Sequence, residues 1–127
     1  KEEAQALLNT KINEPKKLLA LLKKLGLKTV IITNGPKTIY ATHNDKFYTT
    51  TPPKVKVIHT AGAGDAFNSG VLAGIIKKLP FTESLKLGLV NSASVVQHLG
   101  TKNKLLNLKE SQQLIKKYKI KIIEKNV

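Results

Sequence analysis

The sequence lacks residues that several functions require. Its 127 residues include no cysteine, methionine or tryptophan, and all 22 basic side chains are lysines. The absence of cysteine excludes a disulfide framework and thiolate metal sites. The absence of arginine, with only 5% aromatic residues, disfavours sequence-specific reading of nucleic acid. We therefore expect no nucleic-acid partner, and the net charge of +14 is compatible with attraction of small phosphorylated ligands.

Long apolar runs are also missing. No stretch approaches the roughly 18 apolar residues of a membrane-spanning helix, and no leader resembles a signal peptide. These features predict a soluble, cytoplasmic protein with no membrane partner. The opening KEEAQALLN reads as a helix already under way without an initiating methionine. We therefore expect the chain to be part of a longer polypeptide.

The pattern along the first half predicts an α/β fold. A helix is indicated in NEPKKLLALLKKLG, with Asn13 as a candidate cap and Gly26 at its end. The run TVIIT (29–33) is typical of a strand buried on both faces. TIYATHNDKFYTTT predicts a hairpin turning at Asn44 and Asp45, and VKVI (55–58) predicts a further strand.

The second half is predicted to be mostly helical. AFNSGVLAGIIKKL and ESLKLGLVNSASVVQHLG each read as a helix. Asn107, with Glu110 three residues later, is typical of a capping box that starts a last helix, and KIKII could form a final edge strand.

The stretch HTAGAGDAFNSG, residues 59–70, places a glycine loop between a predicted strand and a helix. This order directs backbone N–H groups and the positive end of a helix dipole at one point, where anions bind. It is not a Walker loop, because no lysine follows Gly64. It is not a dinucleotide fingerprint either, because Phe67 occupies the third glycine position.

Asp65 has two readings on physical grounds. As a base beside an anion site, it would orient an acceptor hydroxyl and take its proton during phosphoryl transfer, with the N–H groups of Ala63, Gly64 and Asp65 steadying charge. Alternatively, it only stabilises the start of a helix, by about 0.3–1 kcal/mol. The residues alone leave both open.

TAGAGDAFNSG resembles the second signature of the ribokinase-like (PfkB) sugar kinases, whose usual form is DTTGAGDAFxAG. TVIITNG resembles the family's strand ending in TxG, and KEEA resembles the end of its NxxE motif. The resemblance covers nearly the whole chain. It implies a three-layer α/β/α ribokinase-like (Rossmann-like) fold, of which residues 1–127 are the C-terminal part, without the N-terminal sugar-binding half and lid.

The resemblance also implies site residues and cofactors. Asp65 would be the catalytic base, and the anion hole would consist of Gly62, Ala63 and Gly64. ATP would be bound by Thr33, Asn34 and Gly35 at its phosphates and by Leu89 and Asn91 beside its adenine. Gly64, which belongs to the anion hole, would also bind the nucleotide. Glu3 would act indirectly on Mg²⁺, which would arrive with the nucleotide.

Two positions depart from the family pattern. His59 stands where an aspartate usually contributes to a monovalent-cation site, so potassium activation is not expected. Thr38 stands where TxGxxG places its final glycine, and a β-branched residue resists positive φ, so we expect a different loop shape there.

The implied function is ATP-dependent phosphoryl transfer to a hydroxyl of a sugar or sugar-like molecule, with residues 1–127 alone inactive. Two alternative functions remain: a nucleoside kinase of the same family and a non-catalytic nucleotide-binding relic. The full-length form could be a homodimer.

Overall fold

The computed structural model describes residues 1–100 and 103–126 and divides them into two units. One unit consists of residues 1–51 with 121–126, and the other is Pro52–Ile120. The described residues form both helices and strands, in agreement with the predicted α/β class.

The first unit contains a four-stranded antiparallel sheet and two helices. The strands are ordered β1-β2-β3-β4 across the sheet. Their bounds are β1 Thr29–Ile32, β2 Ile39–His43, β3 Lys46–Thr50 and β4 Ile123–Asn126, and the helices are α1 Glu2–Leu7 and α2 Pro15–Lys24. The tail therefore does form a strand, displaced a few residues beyond the predicted KIKII.

The predicted hairpin is confirmed between β2 and β3. Asn44 and Asp45 form its turn with φ of 45° and 63°. Two consecutive positive φ values define the turn whose twist matches that of paired strands, and asparagine and aspartate tolerate them best among residues with a side chain.

Helix α2 covers one face of this sheet. Leu18, Leu19 and Leu22 are buried and pack with Val30 and Ile32 of β1. The proposed cap at Asn13 is wrong by one residue. Glu14 is the N-cap and Pro15 begins the helix, where a missing N–H costs nothing.

Strand β1 differs from its prediction. Its burial alternates, with Val30 and Ile32 buried and Thr29 exposed, and its neighbour β2 runs antiparallel. The apolar run thus reflects one buried face rather than two.

The second unit is built from three helices: α3 Ala63–Ile76, α4 Phe81–Val96 and α5 Leu108–Tyr118. Helices α3 and α4 cross closely at glycines. A β-carbon added at Gly70 would lie 2.7 Å from the carbonyl oxygen of Leu87, and one added at Gly88 would lie 2.8 Å from that of Phe67. The absence of a side chain at Gly70 and Gly88 thus allows the two backbones to approach.

Helix α5 begins as predicted. The Asn107 side chain accepts a hydrogen bond from the Glu110 N–H, and the Glu110 carboxylate accepts one from the Asn107 N–H, each at 2.9 Å. This reciprocal pair satisfies two backbone donors at the helix start.

The predicted strand at 55–58 is wrong. No strand of residues 1–100 and 103–126 pairs with this segment, and Val57 and Ile58 are 54% and 52% exposed. The alternation suits a strand, but a strand also needs a neighbour to bond with. Here the Ile58 N–H donates instead to the carbonyl of Val96, at 2.7 Å.

Candidate active site

The glycine loop turns into helix α3 at Gly62. This residue is the N-cap and has a φ of 82°, a conformation that glycine adopts without strain. On its N-terminal side, the loop is attached to the end of α4, because the His59 N–H donates to the Val96 carbonyl at 3.2 Å. The start of α3 is therefore held by the backbone on both sides of the turn.

Some of the first backbone N–H groups of α3 are hydrogen-bonded to a carbonyl, and others have no acceptor among the residues described. The Ala63 N–H donates to the Thr60 carbonyl at 3.2 Å, and the Ala66 N–H begins the helical ladder by donating to Gly62 at 2.9 Å. Across the described part of the chain, the N–H groups of Gly64 and Asp65 have no acceptor. Unpaired donors at a helix start bind anions. The available donors are thus those of Gly64 and Asp65, whereas that of Ala63 is already used in the turn.

The surroundings of the Gly64 α-carbon and of the Asp65 side chain are open. A β-carbon added at Gly64 would meet no atom within 4 Å, and the Asp65 side chain is exposed. An exposed carboxylate, which can accept a proton, thus lies beside two N–H groups that have no acceptor within residues 1–100 and 103–126. The geometry therefore suits both halves of a phosphoryl transfer to a hydroxyl.

Asn91 lies behind the site rather than at its surface. Its side chain is 6% exposed, and its amide nitrogen donates to the Ala66 carbonyl at 2.8 Å and to the Ser69 hydroxyl at 3.3 Å. Its amide oxygen accepts from the Leu106 N–H at 3.0 Å. Asn91 thus connects the first turns of α3 with the segment that precedes α5.

A cavity of about 290 Å³ adjoins this connection and is lined by residues of α3, α4 and the segment 105–111, including Asn91, Gly70 and Leu106. Leu89 is not among its lining residues, and with 2% exposure it belongs to the helical core. The assignment of Asn91 and Leu89 to an adenine site stays a prediction. The cavity is lined by Asn91 but not by Leu89.

The other predicted nucleotide residues lie in the first unit, immediately after β1. The Lys37 N–H donates to the Asn34 carbonyl at 3.1 Å, which closes a turn around Gly35 with its φ of 56°. Thr38 is not among the described residues with positive φ, consistent with the expected departure in loop shape.

Glu3 is exposed in the short helix α1. The backbone nitrogen of Lys1 donates to the Thr33 carbonyl at 3.0 Å, so the first turn of α1 lies beside the end of β1. The structure therefore brings Glu3 and Thr33 into the same part of the first unit.

Metal ligands are sparse in the part of the chain that is described. Residues 1–100 and 103–126 contain no group of three or more His, Cys, Asp or Glu side chains that could hold a metal ion.

Sequence reasoning missed the residues that support the loop. The Val96 carbonyl and the Leu106 N–H act through the backbone, which leaves no signal in side-chain identity. Asn91 did leave one, because it is a polar residue on a largely buried helix.

Among residues 1–100 and 103–126, no helix has the length and apolar character needed to cross a membrane.

Comparison with known proteins gives consistent results. The family model described as "pfkB family carbohydrate kinase" matches residues 1–108. The tagatose-6-phosphate kinase of Staphylococcus epidermidis is 31% identical over 99 residues, which are 72% of this chain and 32% of that protein. The ATP-dependent 6-phosphofructokinase of Thermoanaerobacterium thermosaccharolyticum is 37% identical over 97 residues, 72% of this chain and 27% of that protein.

The fold has close counterparts among solved structures. The ribokinase of Thermotoga maritima superposes with a TM-score of 0.79 at 22% identity, covering 91% of this chain and 38% of that one. This likeness confirms the ribokinase-like fold. The chain spans about a third of the length of the curated relatives that it matches.

Proposed function

Because the chain belongs to the PfkB family of carbohydrate kinases, we propose that it forms the nucleotide and catalytic-loop part of an ATP-dependent kinase that phosphorylates a hydroxyl of a sugar or sugar-like molecule. The observation that carries the proposal is the start of α3. There, two unpaired N–H groups and an exposed carboxylate lie next to each other, in front of open space.

Asp65 is the proposed base. The oxygen of the acceptor hydroxyl forms a bond to the γ-phosphorus of ATP while the bond from that phosphorus to the β,γ-bridging oxygen breaks. The hydroxyl proton passes to the Asp65 carboxylate, and ADP leaves. The loop of Gly62, Ala63 and Gly64 is the proposed anion hole, with the N–H groups of Gly64 and Asp65 as its available donors.

The remaining proposed roles concern the nucleotide. Thr33, Asn34 and Gly35 would contact its phosphates at the end of β1, and Asn91 and Leu89 would flank the adenine. Glu3, on the helix whose preceding residue contacts Thr33, would orient water around Mg²⁺. When bound, Mg²⁺ would neutralise charge on the transferring phosphates.

The decisive variant is Asp65→Asn in the full-length kinase that this chain would complete. Removal of the base should lower turnover by about 10²–10⁴-fold. ATP binding should survive, because the backbone donors of the loop are unchanged. Turnover should be measured by coupled ADP release, and ATP binding by calorimetry on the same preparation. Unchanged turnover would remove Asp65 from the proposed role and leave it as a residue that stabilises the helix start.

The 127-residue chain alone should bind ATP without phosphorylating a sugar. Catalysis of this kind depends on excluding water and positioning the acceptor, and the chain spans only about a third of its relatives. Sugar phosphorylation by the isolated chain at an ordinary rate would contradict this expectation. A full-length protein that binds ATP but stays inactive would instead indicate a nucleotide-binding relic.

A further inference from the structure

A second groove lies in the first unit, between α2 and strands β2, β3 and β4. Its volume is about 460 Å³, within the range of roughly 300–1,000 Å³ that is usual for small-molecule pockets. The helix contributes Lys16, Leu19, Ala20, Lys23 and Lys24, and the strands contribute Thr42, Phe47, Lys125 and Asn126.

The strand register explains how these residues come together. Val30 pairs with Thr42, Thr42 with Phe47, and Phe47 with Lys125, so the four form one row across the sheet. Paired residues in neighbouring strands point to the same face. Helix α2 packs against β1 and β2, at the Val30 end of this row. The Phe47 and Lys125 end continues past the helix, and the groove forms there.

The rim of the groove carries positive charge that the protein leaves uncompensated. Lys23 pairs with Asp45, with 2.6 Å between nitrogen and oxygen. Within residues 1–100 and 103–126, no carboxylate oxygen lies within 4.0 Å of the ammonium groups of Lys16, Lys24 or Lys125. Three like charges around one concavity repel each other unless an anion binds between them.

The interior of the groove is apolar and partly aromatic. The ammonium group of Lys16 lies 5.8 Å from the centroid of the Phe47 ring, in the range of a cation–π contact. Leu19 and Ala20 form the helix side of the same concavity. A flat apolar group can therefore pack beside Phe47 while its charged end reaches the lysines.

Thr42 supplies an independent observation. Its side chain is 6% exposed and lines the groove, yet its hydroxyl has no hydrogen-bond partner among the residues described. Buried hydroxyl groups are nearly always bonded, because an unpaired one loses its hydration without replacement. Thr42 is therefore an unsatisfied polar residue in the wall of the groove.

We propose that this groove binds a small organic phosphate with a flat apolar body, held by Lys16, Lys24 and Lys125, with the apolar body against Phe47. The class follows from the chemistry of the groove: several lysines suit a dianionic phosphate, and the apolar interior requires more than an inorganic ion. The proposal does not depend on the kinase activity proposed for the other unit.

Phenyl phosphate is the probe, titrated into the ¹⁵N-labelled 127-residue chain and followed by NMR. The amide resonances of Thr42, Phe47 and Lys125 should move together and saturate. Benzoate and inorganic phosphate, each lacking one half of the probe, should bind more weakly. Resonances of Gly64 and Asp65 report phosphate binding at the start of α3 separately.

The double variant Lys16→Gln with Lys125→Gln should weaken phenyl phosphate binding by at least about fivefold, because two charges of the rim are lost. Lys54→Gln with Lys56→Gln is the matched control. It makes the same change in net charge at exposed lysines of the other unit and should leave the affinity unchanged.

Phe47→Leu tests the apolar contact and should weaken phenyl phosphate more than inorganic phosphate. Three results would overturn the proposal: no saturable shift in the groove, an equal loss in the two lysine pairs, or shifts confined to Gly64 and Asp65. The last result would leave the proposed kinase site standing.

Discussion

Two glycine-to-alanine changes in the same helix should have opposite consequences. Gly70→Ala should destabilise the protein, because the added β-carbon would lie 2.7 Å from the Leu87 carbonyl oxygen and 2.8 Å from the Gly88 α-carbon. Both are backbone atoms, so α3 and α4 must move apart to accommodate it. Gly64→Ala should fold normally, because its β-carbon would meet no atom within 4 Å.

The magnitude for Gly70→Ala follows from two opposing effects. Overpacking of a close contact costs about 1–3 kcal/mol, while replacing glycine by alanine inside a helix returns up to about 1 kcal/mol. The free energy of unfolding should therefore fall by roughly 1–2 kcal/mol. For a chain of this size, that lowers the melting temperature by roughly 4–8 °C.

The effect of Gly64→Ala should appear in binding instead. We expect a methyl group at Gly64 to hinder the close approach of a phosphate to the backbone of the loop. ATP affinity should fall by about tenfold or more, equivalent to about 1.4 kcal/mol. Stability should stay the same or rise by a few tenths of a kcal/mol.

Urea unfolding and ATP titration calorimetry on wild type and both variants check the pair. A Gly70→Ala protein as stable as wild type would refute the close α3–α4 crossing as described. A Gly64→Ala protein that binds ATP like wild type would show that phosphate does not approach the backbone at this loop.

Other variants test features away from the loop. Asn107→Ala should lower the free energy of unfolding by about 1 kcal/mol in urea, because it removes the side-chain half of the capping box, and the exposed Gln112→Ala should not. A hydrogen bond from Lys23 lowers the pKa of Asp45 in the folded protein. The stabilisation by the Lys23–Asp45 ion pair is therefore present above the unfolded-state pKa of about 3.9, and it is lost as pH falls through the lower folded-state pKa. The unfolding midpoints of wild type and Asp45→Asn should therefore differ at pH 7 and converge as pH falls below the folded-state pKa of Asp45. A difference that stays constant with pH would show that the ion pair does not contribute.

The residues of the glycine loop and the residues proposed to contact the adenine differ in their hydrogen bonding. The loop residues of the signature lie together at one helix start, where the N–H groups of Gly64 and Asp65 have no acceptor among the described residues. Asn91, by contrast, is engaged with Ala66, Ser69 and Leu106. Any contact between Asn91 and a nucleotide has to be made from within this network, so its replacement should affect the position of the first turns of α3 as well as binding.

Much of the local structure could be predicted because its causes are local. Asn44 and Asp45 specify a turn through their own tolerance of positive φ. Asn107 and Glu110 specify a helix start by bonding to each other's backbone across three residues. The glycine loop was readable for the same reason: an N-cap glycine and unpaired N–H groups are properties of a short segment.

What could not be predicted depends on residues far apart in the chain. The segment 55–58 has the alternation of a strand, yet pairing requires a neighbour that no local pattern reports. The role of Asn91 depends on where Ala66 and Leu106 lie, 25 and 15 residues away. The groove beside Phe47 exists because β4, from the end of the chain, aligns Lys125 with a hairpin near residue 45. Periodicity indicates which face of an element is apolar, but the element that covers that face, and how far it extends, depends on the packing of the whole unit.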